Sequence, residues 1–197
     1  ERPKYTGRRR SMPHKSPNQP QLTPRLSLDD VRRRTIVALA ADDLLGEMLV
    51  LKGGNALRLV HGIGGRASLD LDYSIEGDLD SAEDIRLRIE AALQREFRIL
   101  AHEVFDVKMR AKPRIVSAAD ERPTWGGWAV EFKLISRERY QSFPHQPAKL
   151  RDYAETLYAE RKAFQIDISK CEYVEPAAEV RYEGYSLRVY SLAMIVF

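Results

Sequence analysis

Apolar positions recur along this chain with two different periods, and the switches between them mark out its elements. Ser27-Leu-Asp-Asp30 offers an N-cap with an acidic residue at N3, and Val31, Ala38, Ala41, Leu44, Leu45 and Met48 continue one apolar stripe to a stop near Gly46. That pattern predicts an entry helix packed on a sheet. From Met48 to Leu51 the chain is apolar and branched enough for a buried strand, which breaks at Gly53-Gly54 before Ala56, Leu57 and Val60 return at helical spacing. After the loop Gly62-Ile-Gly-Gly65, the segment from Ser68 to Ile75 alternates with a period of two. A second capping signal, Ser81-Ala-Glu-Asp84, precedes Ile85, Ile89, Ala92, Leu93 and Phe97, a helix that should cover one sheet face.

Further on, Leu100 to Met109 and Trp128 to Ile135 alternate as strands, joined by a polar segment with Pro113, Pro123 and Gly126-Gly127. Pro147 opens a helix in which Leu150, Tyr153, Ala154, Leu157 and Tyr158 share a stripe. Strands follow from Ala163 to Lys170 and from Tyr185 to Tyr190, and Ser191 to Phe197 reads as the first turns of another helix. The expectation is an α+β domain, a mixed sheet flanked by helices. Because a domain seldom stops in an apolar helical turn, the chain is expected to be cut short of a C-terminal helical part.

Charge divides the chain more sharply than composition does. The formal net charge is +3 over 197 residues. Residues 1–26 alone carry +6 and five of the ten prolines, which leaves −3 for the remainder. Residues 1–26 therefore read as an extended basic tail and 27–197 as the folded domain. The tail is open to two readings, a solvated leader or an electrostatic arm for RNA phosphates. Any grip on RNA by the slightly acidic domain must come from local patches. Arg32-Arg33-Arg34 is one candidate, with a solvated helix face as the alternative.

The lone Cys171 permits no internal disulfide and has no evident catalytic partner, so it reads as structural. His14, His61, His102 and His145 lack ligand spacing, which argues against zinc. Trp125 and Trp128 read as packing residues rather than a base-stacking platform. With no apolar run of membrane-spanning length and no signal-peptide core, the expectation is a soluble cytoplasmic protein with no membrane partner.

The chemistry concentrates in residues 52–72. Glycines at a strand-to-helix turn let the backbone approach a ligand, and the unpaired N–H groups of a helix start favour an anion. Alternation places Asp70 and Asp72 on one face of their strand, with Leu69, Leu71 and Tyr73 on the other. Like charges so close are costly unless a cation lies between them, and carboxylate oxygens suit Mg²⁺. An Asp-x-Asp by itself is more often a solvated strand face. The glycine pair 16 residues before Asp70 is what shifts the balance.

Gly53-Gly54, a gap and Asp70-Leu71-Asp72 together resemble the motif of the DNA polymerase β-like nucleotidyltransferase superfamily. The longer string Lys52-Gly-Gly-x-Ala-Leu-Arg, then Arg66-x-Ser68-x-Asp-Leu-Asp, resembles the AbiEii/AbiGii toxin branch. The diagnostic part spans about 25 residues. The resemblance implies a polymerase β-type fold and a toxin, under control of a cognate antitoxin, that moves a nucleotide from an NTP to an acceptor, in some relatives the acceptor end of tRNA. It implies two Mg²⁺ ions, with Mn²⁺ as a substitute, held by Asp70, Asp72 and a third carboxylate on a later strand.

Asp167, flanked by isoleucines and sharing a face with Gln165 and Ser169, takes that third role, and Glu131 is the competing candidate, with Lys133 as a partner across its own face. Gly53, Gly54 and Asn55 would orient the terminal phosphates, with Arg66 and Ser68 as secondary contacts. Lys52 is left between ligand contact and a supporting salt bridge. Position 55 is Asn where relatives often carry a hydroxyl residue, and the lysine of the family's later helix has no counterpart here, since no lysine follows Lys170. Two readings of other classes stay open: a catalytically silent nucleotide- or partner-binding module, and an RNA-binding protein using the basic tail.

Overall fold

The computed structural model describes residues 25–60, 62–63, 68–113 and 126–196, and the side chains of Leu59, Val60 and Val196 lie outside that description. Most of the 1–26 tail, Arg66, His14, His61, Trp125 and the 114–125 part of the polar segment therefore lie outside the described residues. Arg25 and Leu26 are described and join the domain: the Arg25 guanidinium donates to the Thr156 carbonyl at 3.0 Å, and Leu26 packs on the core.

The entry helix is two helices. Leu28–Ala40 (α1) carries a full capping box, Ser27 accepting from the Asp30 N–H while Asp30 accepts from the Ser27 backbone. Asp42 then restarts the chain by accepting from the Leu45 N–H, which opens Asp43–Met48 (α2). Val50–Lys52 (β1) follows, then the turn Gly53–Asn55 (α3), continued by a π-helical turn over Ala56–Val60. The chain proceeds through Leu71–Ser74 (β2), Ala82–Ile99 (α4), His102–Lys112 (β3) and Gly127–Ser136 (β4). Arg137–Ser142 (α5), Pro147–Asp152 (α6), Ala163–Ser169 (β5), Ala178–Tyr182 (β6), Tyr185–Val189 (β7) and Leu192–Val196 (α7) complete it.

The strands form one mixed seven-stranded sheet in the order β3-β4-β5-β2-β1-β7-β6. β2 runs parallel to β5 and β1 parallel to β7, while the other neighbours are antiparallel. Strand alternation sends Leu51, Leu71, Tyr73, Val130, Phe132, Leu134, Phe164, Ile166, Ile168 and Val189 to one face, all buried. α1 and α4 close over that face with Val31, Ile36, Leu39, Ile89, Leu93 and Phe97. Aromatic contacts run from α4 into the sheet, Phe97 to Phe132 at 6.0 Å and Phe132 to Phe164 at 5.5 Å. The strand that carries Asp167 is thereby fixed to the helical layer three residues before the carboxylate.

Several expectations are corrected. The stripe after Pro147 ends at Asp152, because the chain turns through a Tyr158–Arg161 bridge into β5. α5 and the edge strand β6 were not expected. Arg32-Arg33-Arg34 is not a free basic patch: Arg32 is buried on Asp29, Arg33 pairs with Asp30 and Glu183, and Arg34 pairs with Glu96 and Glu183. Cys171 is exposed rather than a packed structural residue. Among the described residues no helix is long and apolar enough to cross a membrane.

Candidate active site

The face of the sheet opposite α1 and α4 carries the three aspartates singled out in the sequence. β1 and β2 pair with Lys52 opposite Asp72, and β2 and β5 pair with Asp72 opposite Asp167. Asp70 lies two residues before Asp72, on the same face, just ahead of β2. The three predicted aspartates are thus neighbours across two parallel strands. Glu131 stands opposite Gln165, one step along β5 from Asp167 and away from Asp72. Lys133, expected beside Glu131, bonds instead to Asp106 at 2.5 Å.

Neither Asp70 nor Asp72 receives a hydrogen bond or ion pair within the described residues. Burial raises the pKa of both, and the charge of Asp167 raises it further, with Lys112 as a partial offset at each. Their ionised forms lack a counter-charge at contact distance. Asp167 differs. Lys112 Nζ donates to its Oδ1 at 2.6 Å, and Gln165 Nε2 lies 2.9 and 3.0 Å from its two oxygens. Among the described residues no three acidic, histidine or cysteine side chains close into a ready metal cage. The donors fit a hard divalent cation all the same: two unpaired carboxylates, and a third in register beside one of them.

The turn after β1 lies directly beside Asp72. Gly53 has φ +71°, and a Cβ there would stand 3.0 Å from Asp72 Oδ2. A side chain at 53 would be strained in backbone and would crowd the carboxylate. Lys52 occupies the N-cap position without a side-chain capping bond, and among the described residues no side chain satisfies the first-turn N–H groups of the helix that begins at Gly53. These groups remain available to an anion beside Asp72. The π-helical turn that follows is a device often found where a helix is shaped around a site.

Asn55 departs from its expected role. It is fully buried, and its Nδ2 donates to the Asp70 carbonyl at 2.7 Å and the Ser68 carbonyl at 3.3 Å. It therefore clamps the backbone leading into Asp70 rather than facing phosphate. Ser68 is half-buried at the start of this segment and enters the clamp through its carbonyl.

Lys52 resolves toward the supporting role. Its Nζ donates to Glu172 at 2.5 Å and to Ser169 Oγ at 2.9 Å, across β2. Ser74 also donates to Glu172, and Tyr190 OH lies 3.0 Å from Ser74 Oγ and 3.2 Å from Glu172. Burial opposes the charge on Glu172, but the Lys52 bond and the two hydroxyls hold its pKa below the ordinary value. The network braces β1, β2, β5 and the segment after β7 at one end of the site.

Sequence reasoning missed Glu172, Gln165 as a partner of Asp167, and Lys112. For Lys112 a signal exists. Lys108, Arg110 and Lys112 alternate along β3 opposite Glu131, Ala129 and Gly127, so they share the face of Asp167.

Two open clefts among the described residues reach the neighbours of the carboxylates, Lys52 and Gln165, without being lined by the carboxylates themselves. One is lined by Lys52, Glu172, Tyr173, Tyr190 and Met194, and the other by Glu131, Lys133, Arg161, Lys162 and Gln165.

A family model described as nucleotidyl transferase AbiEii toxin, type IV TA system, matches residues 34–196. No curated protein and no solved structure matches the chain.

Proposed function

Since this chain belongs to the AbiEii nucleotidyl transferase toxin family, we propose that it moves a nucleoside monophosphate from an NTP to an acceptor hydroxyl, on a polymerase β-type scaffold. The observation that carries this reading is the pairing of Asp72 with Asp167 directly beside the uncapped, glycine-lined turn at Gly53. A triphosphate tail fits the free N–H groups there, and the carboxylates face the bond to be broken. Asp70, Asp72 and Asp167 would hold Mg²⁺, or Mn²⁺ in its place. Bound there, the metal would supply neutralisation of the triphosphate and a lower pKa for the acceptor hydroxyl.

The chain's own residues do the positioning. Asn55 fixes the Asp70 backbone, Gly53 keeps the approach to Asp72 clear, and the Lys52–Glu172 pair holds the strand end from which the turn departs. Aromatic and apolar walls from Tyr173, Tyr190 and Met194 suit the nucleoside on the β1 side. The Lys133, Arg161 and Lys162 side suits an anionic acceptor, for which the acceptor end of tRNA is the first RNA to test. Catalysis of this kind rests on orientation and charge neutralisation. The family's toxin role makes a cognate antitoxin protein the expected partner.

The test is incubation of the protein with each α-labelled NTP, Mg²⁺ and total RNA. Label transferred to RNA with release of pyrophosphate supports the reading. Tight NTP binding with no transfer to RNA or protein contradicts it and leaves a binding module.

A further inference from the structure

The three carboxylates of the site are not in the same state. Among the described residues Asp70 and Asp72 have no hydrogen-bond or ion-pair partner, whereas both oxygens of Asp167 are engaged, one by Lys112 and Gln165 together and the other by Gln165. Lys112 stands at the last position of β3, two strands from Asp167. Its side chain reaches diagonally across β4, where Gly127 pairs with Lys112 and Ser169 and Ala129 pairs with Arg110 and Asp167. A Cβ at 127 would come within 1.9 Å of the Ile168 carbonyl oxygen, so that position excludes a side chain. The bridge therefore crosses a strand that presents no more than a methyl group at these two positions.

We propose that Lys112 masks the third carboxylate. Its ammonium group is the resident counter-ion of Asp167, and a divalent cation entering between Asp70, Asp72 and Asp167 must displace it. The inference rests on the reading of these aspartates as a metal site. A divalent ion carries twice the charge and binds carboxylate oxygen directly, so the exchange favours the metal once it arrives. Until then the ammonium partly offsets the charge repulsion among three neighbouring carboxylates and keeps Asp167 turned toward β3. Once released, Nζ remains beside the site, where an anionic phosphate can take the place of the carboxylate. Lys112 is a positioning residue in this scheme, since it acts through Asp167.

The test is Mn²⁺ binding to the full chain, followed by electron paramagnetic resonance and calorimetry, for wild type, Lys112→Met, Lys112→Arg, Asp167→Asn and the double variant Lys112→Met/Asp167→Asn. An exposed lysine–carboxylate pair is weak, so unmasking should tighten Mn²⁺ binding about three- to fivefold in Lys112→Met. Lys112→Arg should stay near wild type, and the gain should largely vanish on the Asp167→Asn background. Lys112→Gln serves in place of Lys112→Met should circular dichroism show that the latter is not folded. Equal affinity in wild type and Lys112→Met overturns the masking role while leaving the metal site standing. A gain that persists undiminished when Lys112→Met is added to Asp167→Asn also overturns it, since it would reflect only the loss of a nearby charge. Failure of every protein to bind Mn²⁺ refutes the metal reading itself, and the masking role with it.

Discussion

The side-chain amide of Asn55 and the backbone carbonyl of Asp70 are joined by a 2.7 Å hydrogen bond across fifteen residues of chain. Asn55 sits in the helical turn that begins at Gly53, so one buried side chain ties that turn to the segment entering β2. Replacing it with alanine removes the donor and leaves two partly buried carbonyls short of a partner, a loss of about 1–3 kcal/mol. Asn55→Ala should therefore lower the urea midpoint with an unchanged m-value and reduce nucleotide transfer more than a surface substitution of equal stability cost. An unaltered midpoint would mean that the clamp contributes nothing.

Gly53 couples the same two elements through space rather than through a bond. At φ +71° an alanine costs about 1–2 kcal/mol of backbone strain, and its Cβ meets Asp72 Oδ2 at 3.0 Å. The expected result for Gly53→Ala is a folded protein, by circular dichroism, with NTP affinity weakened at least about tenfold in isothermal titration. Wild-type affinity would show that the triphosphate lies elsewhere.

Acid sensitivity is expected at Asp42, which is buried and caps α2 while accepting from Arg88 Nε at 2.5 Å. Burial pushes its pKa up, but the bonds from Arg88 and the Leu45 N–H outweigh burial and hold it below the ordinary aspartate value. A lowered folded-state pKa means stability that is fully present above the unfolded value, about 3.9, and lost as pH falls from there through the folded value. Asp42→Asn keeps a good cap but removes the charge. Its stability deficit against wild type, measured by urea denaturation, should be visible at pH 7 and shrink below about pH 4. A deficit independent of pH would assign the effect to packing.

The fold was legible where local periodicity and tertiary burial agree. β2 and β5 alternate cleanly because one face lies on the core and the other carries polar groups, and α4 announces itself by its cap and stripe. α5 has no buried residue and is held by the Ser136 cap, so no apolar period betrays it. β6 is an edge strand without a buried position and reads as polar loop. In the site, the shared face of Asp70 and Asp72 followed from strand parity, whereas Asp167 was singled out by the family resemblance and its register beside Asp72 came only with the fold. The role of Asn55 was not legible, because residue type allows a phosphate contact or a buried clamp, and only the packed segment decides. Lys112 escaped for a related reason: its partner lies 55 residues away and is reached diagonally across β4, a pairing no local pattern shows.

The central claim is that the Asp70–Asp72–Asp167 face opposite the glycine turn is where a nucleotide is transferred. The most direct measurement is metal-dependent release of pyrophosphate from NTP by wild type and Asp72→Asn, with binding of NTP followed in parallel. The account predicts that Asp72→Asn stays folded while transfer falls by at least about hundredfold. Transfer at the wild-type rate in Asp72→Asn would contradict it.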